Sequence, residues 1–260
     1  MITGDDKWMG RTQLLVGEKG LSALKSASVL IVGLGGVGSY AAEAIARSGI
    51  GNITIVDGDV VDPTNRNRQL PALYSTHGQS KAALMGLRIK EINPSVNLSI
   101  INNFMRIDDM KELVIKGNFN YVIDAIDSIT PKVTLISTCY FNKIKIISSM
   151  GAGGKLDPTQ IKINDISRSY NCNLAHYVRK RLRKYGIRKG VKCVFSNELA
   201  DPKSLMLTDG SNFKKSAFGT ISYLPAIFGL TCASVVIREL IGKEIRNNKV
   251  DRPEYLLGFR

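Results

Sequence analysis

Short apolar runs alternate with segments of helical period through the first 150 residues. Ser28 to Val32, Ile53 to Val56, Val96 to Ile101, Tyr121 to Ile123 and Ile144 to Ser148 read as strands buried on both faces. A short helix over Glu18 to Ser26 leads into the first of them. Ser39 to Arg47 is helical and ends at Gly49; Lys81 to Ile92 is helical and closes at Asn93-Pro94; further helices fall near 107–117 and 131–142. This spacing predicts a Rossmann-like α/β fold, a mostly parallel sheet with helices on both faces. Ligands of such sheets bind beyond the strand carboxyl ends, where the strand order reverses. Gly33, Asp57 and Asp124 each end or follow a strand, so they should converge there.

After Met150 the rhythm changes. Gly151-Ala152-Gly153-Gly154 is a second flexible loop and Ile161 to Ile163 a short strand. Asn173 is expected to cap a helix running to Tyr185, with Leu174, Val178, Leu182 and Tyr185 as its apolar stripe and Gly186 at its end. Residues 200–215 read as a mobile polar loop. The expected organisation is a nucleotide-binding region over 1–165, with 166–260 supplying a basic helix, that loop and a C-terminal segment packed on the same domain. Between Lys215 and Arg238 lie 22 residues without formal charge, long enough to span a bilayer. Ser216, Thr220, Ser222, Thr231 and Ser234 make that a poor spanner, and a core helix starting at Pro225 is preferred over peripheral membrane association.

The net charge of +14 is concentrated. From Ile166 to Asn197 there is no acidic residue, while Arg168, Arg179, Lys180, Arg181, Arg183, Lys184, Arg188, Lys189 and Lys192 are cationic. Such a field draws polyanions. Cys139, Cys172, Cys193 and Cys232 are scattered and form no CxxC pair, which suits a reducing cytoplasm and excludes a zinc knuckle. Met1 to Trp8 carries no apolar run of a secretory signal.

Gly33, Gly35 and Gly38 form a GxGxxG motif after a strand and before a helix, with Gly36 in its interior. Such a loop lets backbone amides approach phosphate at a helix N-terminus. Asp57, followed by Asp59, is placed to accept from ribose hydroxyls. These residues alone suit NAD as well as ATP. Arg68 and Lys81 favour ATP, because a guanidinium and an ammonium grip phosphates that are to be cleaved. Asp124 and Asp127 stand past a third strand, and a carboxylate beside phosphates is most simply a magnesium ligand. The competing role for Asp127, as cap of the next helix, is shared with Ser128.

Gly33–Gly38, Asp57, Asn67-Arg68-Gln69, Gly78-Gln79-Ser80-Lys81 and Asp124–Asp127 occur in an order that resembles the E1-like family, the ubiquitin-activating enzymes and the bacterial enzymes that adenylate sulfur-carrier proteins. The resemblance implies ATP and Mg2+ as cofactors and activation of a carboxylate by phosphoryl or adenylyl transfer. It assigns catalysis to Arg68, Lys81 and Asp127, with Asp127 on the metal. Gly33, Gly35, Gly36, Gly38, Asp57, Asp59, Asn67, Arg68, Gln69, Lys81, Asp127 and Ser128 would hold the nucleotide. It also implies a homodimer in which Arg11 reaches the neighbouring subunit's ATP.

The sulfur-carrier branch has two CxxC pairs that this chain lacks. The segments Gly151 to Ile161 and Arg179-Lys180-Arg181-Leu182-Arg183 instead resemble the branch that cyclises threonylcarbamoyladenosine in tRNA. That implies a tRNA partner, no DNA, and tRNA contacts at Arg179, Lys180, Arg181, Arg183 and Lys184. A cysteine desulfurase with its sulfur acceptor is a further partner that the resemblance admits. Adenylation of a sulfur-carrier or ubiquitin-like protein is the alternative activity.

Overall fold

The computed structural model describes residues 4–207 and 216–242, with the backbone alone at 4–6, 206–207 and 216–217. Most of the polar loop expected up to residue 215, and the end of the C-terminal segment from 243 on, lie outside the described residues. The elements are α1 (Gly10–Ser26), β1 (Ser28–Val32), α2 (Gly38–Arg47), β2 (Asn52–Val56), α3 (Lys81–Ile92), β3 (Asn97–Ile101), α4 (Ile107–Lys116), β4 (Tyr121–Asp124), α5 (Ile129–Phe141) and β5 (Ile146–Ser149). They continue as β6 (Ile161–Asp165), α6 (Asn173–Lys184), β7 (Lys192–Ser196), β8 (Leu205–Leu207), β9 (Ser216–Phe218) and α7 (Tyr223–Leu240).

The main sheet has seven strands in the order β3-β2-β1-β4-β5-β7-β6. All neighbours are parallel except β6, which returns antiparallel on β7. The chain winds outward from β1 through β2 to β3, then from β4 to β5, so the crevice between β1 and β4 is the switch in strand order. One face is covered by apolar residues of α2, α3 and α7, including Ala41, Ile45, Met85, Phe228 and Val236. The other is covered by α4, α5 and α6, including Val114, Leu135, Val178 and Leu182. Val29 to Val32 are buried throughout, as a central parallel strand requires.

The structure departs from the pattern reading in four places. Helix α1 begins at Gly10 rather than Glu18, and a left-handed Gly17 (φ 75°) breaks it, which hides its period in the sequence. Helix α6 is capped by Cys172, whose Sγ accepts the Ala175 N–H, and Asn173 is its first residue. Tyr185 lies exposed rather than in the buried stripe, where Ala175 takes part instead. Strand β7 has no clear pattern in the sequence, because Lys189 and Lys192 obscure the short apolar run Cys193-Val194-Phe195.

Helix α7 is the single described helix long and apolar enough to cross a membrane, and half of it is buried against the protein. Leu224, Phe228, Cys232, Ala233 and Val236 are fully buried. A side chain at Gly229 would stand 2.1 Å from the Val37 carbonyl oxygen, so α7 lies directly on α2. This is a core helix, and Pro225 sits in its first turn, where its missing N–H costs nothing.

Candidate nucleotide and substrate site

Strands β1, β2 and β4 deliver their loops to one crevice. Gly33 leaves β1 with φ 91° and donates its N–H to Val56 O at 2.8 Å. A Cβ there would lie 2.8 Å from Ala125 O, and one at Gly38 would lie 1.7 Å from Gly33 O. These two glycines are therefore demanded by the protein's own packing. Gly35 is different: an added Cβ meets only the Gln69 side-chain amide, at 3.7 Å. Nothing among the described residues requires glycine at 35, whereas a phosphate approaching the backbone would.

Asp57 follows β2. Its Oδ2 accepts the Leu34 N–H at 2.6 Å and its Oδ1 accepts the Asp59 N–H at 2.8 Å, so the carboxylate braces the glycine loop. Burial raises its pKa, against the backbone hydrogen bonds and Lys81, which lower it. A carboxylate has about four acceptor positions, which leaves room for ribose hydroxyls. Lys81 opens α3 with its ammonium almost buried, donating to Asp59 Oδ2 at 3.0 Å, while the Asp59 carboxylate keeps 42% of its exposure.

Arg68 stands over the other side of the loop, with its Cγ 3.3 Å from the Cβ position of Gly36. Its Nη1 donates to Thr64 O at 3.0 Å and to Asn67 Oδ1 at 2.8 Å. Asn67 in turn donates to Thr220 O at 2.9 Å and so ties the segment to the chain entering α7. Burial lowers the Arg68 pKa, and the charge of Asp127, on a different loop, opposes this. Gln69 is buried, and its Oε1 has no hydrogen-bond partner among the described residues. An unpaired buried acceptor beside a phosphate-type loop fits a site completed by a ligand.

The two aspartates after β4 separate. Asp127 is exposed, and Ser128 begins α5 without a side-chain cap bond. Asp124, the other carboxylate expected past this strand, is fully buried: Lys132 Nζ donates to it at 2.8 Å and Ser148 Oγ at 2.5 Å. It also accepts the Ile126 N–H at 3.0 Å, while Lys132 donates to Ile126 O at 2.8 Å. Asp124 is thus a brace that holds the peptide ahead of Asp127. Among the described residues no three His, Cys, Asp or Glu side chains gather to hold a metal. An ion here would take Asp127 together with phosphate and water oxygens, as Mg2+ usually does.

Of the four thiols, Cys172 is half-buried and accepts from the Gly151 and Ala175 N–H groups, and the other three are sealed in the core. Cys139 and Cys193 are buried, with burial pushing each up to about 12, and burial raises Cys232 further still. Arg11 lies exposed near the start of α1. Lys180, Arg181, Arg183 and Lys184 are exposed on α6, and Arg179 donates to Ser169 Oγ.

The glycine loop, the two cations and the carboxylate at the switch point define a nucleotide-binding α/β protein built to hold phosphates. Comparison narrows this class: the model of the ThiF family matches residues 10–257, and the chain belongs to that family. It is 40% identical to the tRNA threonylcarbamoyladenosine dehydratase of Escherichia coli, over 93% of this chain and 97% of that one. It is 41% identical to the Bacillus subtilis enzyme of the same name, over 92% and 96% of the two chains. The crystal structure of the E. coli dehydratase in complex with ATP superposes with a TM-score of 0.84, at 38% identity, covering 95% of this chain and all of that one.

Proposed function

We propose that this protein is the ATP-dependent enzyme that dehydrates threonylcarbamoyladenosine in tRNA to its cyclic form. The observation that carries the reading is the end-to-end match to the E. coli and B. subtilis dehydratases, which runs through the acid-free segment holding α6 as well as the nucleotide site. The substrate's free carboxylate is a poor electrophile, because its leaving group would be oxide. Transfer of a phosphoryl or adenylyl group from ATP supplies a good leaving group. A nucleophile within the same side chain then closes the ring at high effective molarity, and the carboxylate oxygen departs with the phosphate or adenylate.

The protein's part is positioning and charge neutralisation. Backbone amides of the Gly33–Gly38 loop cradle phosphates, and Asp57 receives the ribose. Arg68 and Lys81 spread the charge that develops on the transferred group, Lys81 exchanging Asp59 for phosphate. Asp127 with phosphate oxygens would hold Mg2+, which would offset further charge. The nucleophile that closes the ring belongs to the substrate itself, so this reading calls on no thioester. The proposed assembly is a homodimer, a reading supported by the exposure of Leu14 (89%) and Leu15 (76%) on α1, which a second copy would cover while bringing Arg11 to its neighbour's nucleotide. Helix α6 takes the tRNA backbone, and the cytoplasm is the compartment.

The test is incubation of the protein with threonylcarbamoyl-modified tRNA and Mg-ATP. Mass detection of a nucleoside lighter by one water is the expected result, with AMP or ADP released to name the intermediate. Intact modified nucleoside after prolonged incubation would sink the reading.

A further inference from the structure

Helix α6 runs antiparallel to the parallel strands. Its N-terminal cap lies at the site end, where the Gly151 N–H donates to Cys172 Sγ at 3.3 Å just past β5. Its far end leads to Lys192, which opens β7 beside Ile147 at the amino ends of the strands. Twelve residues give a wall about 18 Å long. Ala175, Val178 and Leu182 bury one face. On the exposed face Tyr177, Lys180, Arg181 and Lys184 stand at i, i+3, i+4 and i+7, so one stripe begins with an aromatic ring and continues with three cations.

Tyr177 is 52% exposed, and its ring meets His176 edge-on at 5.4 Å. Tyr170, just ahead of the cap, is 50% exposed and touches the buried Phe195 edge-on at 5.8 Å. Neither ring belongs to the core, and no carboxylate lies between Ile166 and Asn197 to draw a protein cation to this face. Tyr170 and Tyr177 at the site end, with Lys180, Arg181 and Lys184 following along the stripe, match an RNA that is unpaired where the chemistry occurs and paired beyond it; one exposed ring, Tyr185, stands at the far end.

We infer that Tyr177 and Tyr170 are stacking platforms for unpaired nucleobases flanking the modified adenosine. This rests on the tRNA reading above. An adenosine whose side chain must reach Arg68 and Asp127 has to leave its stack, which strips its neighbours of a partner. Aromatic rings replace that partner without reading sequence. Lys180, Arg181 and Lys184 then take the phosphates of the adjoining stem.

Binding of threonylcarbamoyl-modified tRNA across a salt series separates the two contributions. Tyr177→Ala is expected to weaken binding roughly 5- to 150-fold with the slope of log affinity against log salt unchanged. Tyr177→Phe keeps the ring and should bind as the wild type does. Lys180→Ala with Arg181→Ala should lower the slope by about one for each phosphate that is no longer neutralised. Tyr185→Ala, at the stem end, should cost less than Tyr177→Ala. Wild-type affinity in Tyr177→Ala, or a loss not restored by Phe, overturns the inference alone. Failure of the wild-type protein to bind modified tRNA overturns the functional reading and this inference with it.

Discussion

Two aspartate–lysine pairs stand at the carboxyl ends of the strands, with similar geometry and opposite surroundings. Asp124 and Lys132 are 2.8 Å apart with neither side chain exposed, and every contact they make is to the protein. Asp59 and Lys81 are 3.0 Å apart, with the lysine buried and the aspartate 42% exposed. Water reaches the second pair and not the first. A sealed pair fixes a backbone; a pair with one open side can exchange its partner. The same chemistry therefore braces the loop that carries Asp127 and keeps a cation ready for phosphate.

The largest expected effect comes from the open pair. Lys81→Ala or Arg68→Ala should lower turnover at least about 10²-fold, the usual cost of removing one donor to a developing charge. Thermal melting should stay near the wild type, because Asp59 is left in contact with water. An active Lys81→Ala enzyme in a steady-state assay would break the contrast between the pairs.

Lys132→Met acts on the sealed pair and should cost stability, about 3–5 kcal/mol, by leaving Asp124 charged and buried. Combining it with Asp124→Asn should recover most of that loss, since removing both charges is often close to neutral. Denaturant titration of the single and double variants checks this. If the double variant were as unstable as Lys132→Met, the brace would owe its role to packing rather than to charge. Asp59→Asn, by comparison, should cost under about 1 kcal/mol, as pairs with solvent access do.

Legibility in the sequence follows the same division. The glycine loop, Asp57, Lys81 and five of the parallel strands are local signals, readable from spacing. Asp124 and Asp127 look equivalent in sequence because nothing in the stretch Asp124 to Asp127 shows that Lys132, a turn into α5, and Ser148, on another strand, both reach Asp124. The cap of α6 is misread from sequence because Asn173 is the ordinary capping type, while Cys172 does the capping and also accepts from Gly151. The unpaired Oε1 of Gln69 has no sequence signal, since burial without a partner is a property of three dimensions.

Smaller effects sharpen the contrast between the nucleotide crevice and the α6 wall. Replacing Arg179, Lys180, Arg181 and Arg183 by alanine should weaken tRNA binding most at low salt and leave ATP affinity unchanged. Equal losses of both, measured by titration, would make the helix part of the structural frame. The smallest effect is expected at the sealed thiols: Cys193→Ala and Cys232→Ala should keep turnover within a few-fold, with the loss tracking melting temperature. Loss of turnover with unchanged melting would return a cysteine to the chemistry.

The most direct measurement is single-turnover conversion of threonylcarbamoyl-modified tRNA with Mg-ATP, followed by mass spectrometry for wild type and Lys81→Ala side by side. The account expects the wild-type reaction to lighten each nucleoside by the mass of one water for each AMP or ADP formed, the oxygen leaving in the phosphate or adenylate, and a folded Lys81→Ala protein to do so at least about 10²-fold more slowly. Equal rates in the two proteins, or nucleotide release without loss of water, would contradict it.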